Sequence, residues 1–153
     1  MKSEELREQI TIELELMETT VEELLAIRQD ATKRQLTVRE KTAAAAFLAQ
    51  FYSGVENILK RISYFYNIPL PSGNSWHVEL FRQFCSPSKH PLPALFDEPL
   101  ASALAPFRKF RHAVYHSYGI QLEWSRMSAG VAEVEDVFRE FQSRLSTFLQ
   151  TLK

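Results

Sequence analysis

Apolar residues recur in steps of three and four along most of the chain, the spacing that lines up one face of an α-helix. Over residues 3–32 they fall at Leu6, Ile10, Ile12, Leu14, Leu16, Met17, Val21, Leu24, Leu25 and Ile27, which predicts one long amphipathic helix with its glutamates on the wet face. The polar break at residues 30–35 resets the phase, and Thr37 can cap a second helix from about Val38 to Tyr66. That helix carries the small-residue run Ala43–Ala46, then Phe47, Phe51, Val55, Ile58, Leu59 and Ile62. Gly54 inside it costs roughly 1 kcal/mol against alanine, so a neighbouring element is expected to approach closely there.

Residues 67–74 hold two prolines and a glycine and break the pattern. Ser75 or Asn74 can cap a short third helix over Trp76–Phe84, with Trp76 and His77 read as capping and packing it, although His77 could also lie near a cleft. A second proline-rich breaker follows, with His90 on its surface, and Leu95–Leu104 reads as a helix with Pro99 in its first turn. Pro106 either kinks that helix or opens a new one. Met127, Val131, Val134, Phe138, Phe141, Leu145 and Phe148 mark a last long helix. No stretch alternates with period two over a useful length. The expected fold is all-α: a single domain over 1–153, built as an antiparallel four- to five-helix bundle.

Composition adds little, but its distribution adds more. The net charge of −1 does not announce a nucleic-acid binder, and 45% hydrophobic content suffices for a core. Yet residues 1–25 carry eight glutamates, while residues 101–122 hold Arg108, Lys109 and Arg111 with no acid among them. A local basic patch on an acidic body suits one phosphate group better than a long nucleic-acid track. A solvated charge run is the plainer reading of either segment. The single Cys85 excludes a disulfide within the chain and a cysteine-based zinc site. With no basic and apolar leader and no apolar run of membrane length, a cytoplasmic chain without membrane contact is expected.

The patch lies in Phe107–Tyr118, which also gathers His112, His116, Tyr115 and Tyr118. On a helix His112 and His116 share a face, with Arg108 and Lys109 flanking them and Arg111 about 140° from His116. Gly119 suits a helix end, so His116 falls in the last turn, where the unpaired carbonyls favour a protonated imidazole able to act as a general acid. Arg111 can grip phosphate oxygens and carry charge developing on them. Simpler readings exist: a histidine satisfying helix-end carbonyls, and tyrosines packed as core or interface aromatics. A zinc pair at His112 and His116 lacks a third ligand at suitable spacing, and a carboxylate-bridged metal bundle lacks any Glu-x-x-His.

The segment Arg111-His-Ala-Val-Tyr-His116-Ser-Tyr118 reads R-x4-H-x-Y and resembles the signature of HEPN-domain ribonucleases of the HepT type, the toxin halves of HepT/MntA toxin–antitoxin pairs. Phe51–Ser63 resembles the second helix of that family, and Gly73-Asn-Ser-Trp-His77 its following turn. The resemblance implies a metal-independent endoribonuclease without a cofactor, acting on tRNA or mRNA as a homodimer. It makes Arg111 and His116 the catalytic pair and Tyr118 the acceptor of AMP from a nucleotidyltransferase antitoxin; beside them His112 is read as an orienting or phosphate-contacting group, and Arg108 and Lys109 as supporting phosphate contacts. Ser117 stands where some relatives carry glycine. The alternative is a non-catalytic helical module whose patch docks a nucleotide or the nucleotidyltransferase partner.

Overall fold

The computed structural model describes residues 1–116 and 122–153, His116 by its backbone alone. Five helices follow in order: α1 Ser3–Lys33, α2 Val38–Phe65, α3 Trp76–Arg82, α4 Glu98–His116 and α5 Trp124–Thr151. They pack into one all-α body with no strand among the described residues, and a single isolated bridge joins Cys85 to Phe96. No helix among those residues is long and apolar enough to cross a membrane.

The buried stripe of α1 runs Leu6, Ile10, Glu13, Met17, Val21, Leu24 and Ile27, in steps of three and four. Two expectations change here. Ile12 and Leu16 lie off the stripe and are exposed, whereas Glu13, expected on the wet face, is buried and pairs with Arg61 of α2 at 3.1 Å. Gly54 of α2 meets this same stripe. A Cβ built on it would fall 2.5 Å from Met17 Cγ, so the missing side chain is what lets α1 and α2 close together, as the sequence implied.

Thr37 caps α2 as expected: its hydroxyl accepts from the Glu40 N–H, and the Glu40 carboxylate accepts in turn from the Thr37 N–H. Ser75 precedes α3 without making a side-chain cap bond. The helix expected to begin at Leu95 begins instead at Glu98. Leu95 and Phe96 are drawn into the core as extended chain, Phe96 exchanging backbone bonds with Phe84 and Ser86, and Asp97 accepts from the Leu100 N–H to start α4.

Pro106 neither ends α4 nor starts another helix; it sits inside one. Proline removes the bond to the carbonyl four residues back, which belongs to Ser102. Both residues are exposed, so water can satisfy that carbonyl while buried Leu104 and Phe107 hold the helix to the core on either side. Phe51 forms the hub there, its ring 5.1 Å from Phe107 and 6.3 Å from Phe138. A second aromatic column, Phe81, Phe96 and Phe141, ties α3 and the α4 approach to α5. Each such ring removed from water contributes about 1.5–3 kcal/mol. Together they fix α4 against α2, and α3 packs on α2 as well.

Candidate active site

On α2 the residues Tyr52, Ser53, Glu56 and Lys60 follow one another around the face that looks toward α3 and α4. Only 2% of the Glu56 side chain is exposed, and both carboxylate oxygens are used. Oε2 lies 2.6 Å from His77 Nδ1 and Oε1 lies 3.2 Å from Arg111 Nη1. A carboxylate can only accept, so Nδ1 of His77 carries the proton toward it. The 3.4 Å approach of Arg111 Nη1 to the same Nδ1 is then two donors converging on one acceptor group.

Arg111 is further fixed by donating from Nε to Ser53 Oγ at 2.8 Å, and its guanidinium lies 5.4 Å from the Tyr115 ring centre. It remains 22% exposed, so the charge is oriented without being sealed off. His77 is held on its face as well as its edge. The Trp76 ring lies against it, tilted by 33° with centroids 3.5 Å apart, and Lys60 Nζ lies 4.7 Å from the Trp76 ring centre. Underneath, burial and then the negative charge of Glu56 push the Tyr52 phenol well above the usual range, against the opposing pull of Arg108 and Arg111, so it stays protonated.

Between the start of α3 and the exposed side of α4 lies a cavity of about 410 Å³. Its wall includes His77, Arg108, Lys109, Arg111, His112 and Tyr115. Gly73, with φ of +96°, turns the preceding loop so that α3 starts beside the cavity and presents His77 to it. The arrangement is a cationic recess with oriented hydrogen-bond donors, suited to one phosphate and to proton transfer beside it. Among the described residues no three His, Cys, Asp or Glu side chains form a group able to hold a metal ion.

Of the residues singled out in the sequence, Arg108, Lys109, Arg111 and His112 thus share one cavity wall. α4 is described through His116, whose side chain is not; Tyr118 and Gly119 lie outside the described residues. The segment that is acid-free in sequence is not acid-free in space, because α2 supplies Glu56. Glu56 and Ser53 carry no role in the sequence reading, His77 does lie at the cleft as one of its two readings held, and Tyr115 is no packed core ring but an exposed one. A signal for Glu56 was present: it stands four residues after Tyr52 and three before Leu59, on the apolar line of α2, where a carboxylate requires a partner.

Residues 43–152 match the model of a family described as HepT-like protein, covering all of α3, α4 and α5 and most of α2, and leaving α1 outside the match. No curated protein and no solved structure matches the chain.

Proposed function

The chain belongs to the HepT-like protein family, and from that membership and the cationic cleft we propose that it is an endoribonuclease, the toxin of a toxin–antitoxin pair. The observation that carries the reading is Arg111, held on Ser53 and Glu56 at the wall of a cavity that also takes Arg108, Lys109 and His112. Orientation matters because RNA supplies its own nucleophile in the 2′-OH. The protein need only place the phosphate, move protons and carry developing charge, which an arginine and imidazoles can do without a metal ion.

In this reading Arg111 carries the charge on the phosphate oxygens, and His116 protonates the departing 5′-oxygen. Arg108, Lys109 and His112 hold the neighbouring phosphates. The active form is a homodimer whose two α4 helices face one another across the cleft. Control comes from a nucleotidyltransferase antitoxin that transfers AMP to Tyr118, adding bulk and negative charge beside the cationic recess.

The test is a total-RNA cleavage gel paired with intact mass and tyrosine mapping, on protein made alone and beside its antitoxin. Cleavage by unmodified protein, lost when Tyr118 gains AMP, is the expected result. A folded dimer, unmodified at Tyr118, that leaves tRNA and mRNA intact overturns the reading in favour of a binding module for the nucleotidyltransferase.

A further inference from the structure

The geometry points to His77 as a second proton-transferring catalytic residue of this cleft, with buried Glu56 as the positioning residue that holds it in its working tautomer. The inference rests on the nuclease reading above and adds a group that the R-x4-H-x-Y motif does not contain. Two described histidines line the cleft, His112 from α4 and His77 from α3. His77 is seated on a buried carboxylate, at 2.6 Å.

That contact consumes Nδ1, and Trp76 covers one face of the ring. The side chain nevertheless keeps 23% of its surface exposed and borders the cavity, so the Nε2 edge is the part left to meet a ligand. With the proton on Nδ1, Nε2 carries a lone pair and can act as a base. Once it accepts a proton, the imidazolium lies against Glu56, which stabilises it as the aspartate does in a Ser-His-Asp triad. A histidine present only for packing would not require a carboxylate with 2% exposure behind it, because burying that charge is costly.

During strand scission His77 Nε2 takes the 2′-OH proton while the 2′-oxygen forms its bond to phosphorus. The bond from phosphorus to the 5′-oxygen then breaks, and that oxygen takes its proton from His116. The products are a 2′,3′-cyclic phosphate and a free 5′-hydroxyl, and both imidazoles return to their starting states by exchange with water. Arg111 lies close enough to His77 to serve the same phosphate.

The experiment follows cleavage of a short RNA against pH by wild type, His77→Gln and His116→Ala, on a normal linkage and on one with sulfur in place of the 5′-oxygen. A thiolate leaves without an acid, so the sulfur linkage restores His116→Ala and does not restore His77→Gln. His77→Gln is expected to lose about 10²–10⁴-fold in rate and the acidic limb of the pH profile. That limb is read against the other groups around the ring, Glu56 and Lys60 from α2 and Arg108, Lys109, Arg111 and His112 from α4. Nitrogen-15 NMR of the wild type gives a readout free of folding effects in the variant, with Nδ1 protonated and Nε2 bare as the expected state. A His77→Gln protein that cleaves at the wild-type rate, or an Nε2–H tautomer, overturns this inference and leaves the nuclease reading standing. Wild type that leaves both RNAs intact overturns both.

Discussion

Two glutamates lie on apolar faces of this molecule, and each is paired with an arginine, yet they do different things. Glu13 bridges α1 to α2 through a single contact with Arg61, whose own side chain is 38% exposed. Glu56 is more deeply buried and collects partners from two further elements, His77 of α3 and Arg111 of α4, at the edge of a cavity. The first is a fastener between helices adjacent in sequence. The second fixes the orientation of two groups that can do chemistry. A buried charge therefore marks a functional centre only when its partners are oriented toward space that a ligand can enter.

Stability measurements can break this comparison. Glu56→Ala takes from the Arg111 guanidinium and the His77 imidazole the buried carboxylate they share, and is expected to cost about 3 kcal/mol, read from urea unfolding. Glu13→Ala leaves an arginine that can swing into solvent, and should cost about 1 kcal/mol. Equal losses at the two sites would show that the centre at Glu56 is an ordinary ion pair. Adding Arg111→Ala to Glu56→Ala should cost less than the sum of the single changes, since the orphaned charge goes with it.

Two smaller effects come from the capping box at the start of α2. Thr37→Ala removes the capping hydroxyl of α2 and should cost up to about 1 kcal/mol, a local loss that leaves the cleft unchanged. Glu40, in that same capping box, is held down to about 2 by the Arg34 guanidinium and then by the Thr37 N–H. A carboxyl with a lowered folded value contributes stability above its ordinary range, and loses it as pH falls toward 2. Thermal unfolding between pH 5 and pH 2 should therefore lose part of its acid dependence in Arg34→Ala. The effect is the smallest of the set, and added salt should weaken it, because the pair is exposed.

Most of the helices were legible because an amphipathic stripe is a local property. The stripes of α1, α2 and α5, the Thr37 cap and the close approach at Gly54 all follow from residues a few positions apart. The start of α4 was not legible, since Leu95 and Phe96 are recruited by Phe84 and Ser86 across a proline-rich loop. Glu13 and Glu56 were missed for a related reason. A two-letter pattern assigns every glutamate to water, whereas these two are buried by partners 48 and 21 residues away. Arg108, Lys109, Arg111 and His112 could be found as a group because one helix carries them. Ser53, Glu56 and His77, which orient Arg111 or complete the cleft, come from two other helices.

The most direct measurement compares the two arginines. Cleavage of total RNA by purified protein, unmodified at Tyr118, is followed for wild type, Arg111→Ala and Arg61→Ala. Wild type and Arg61→Ala should cleave within about threefold of one another, while Arg111→Ala should fall by about 10²–10³ with its fold retained. Folded wild type that leaves RNA intact, or an Arg111→Ala protein as active as wild type, would contradict the assignment of this cleft as a nuclease centre.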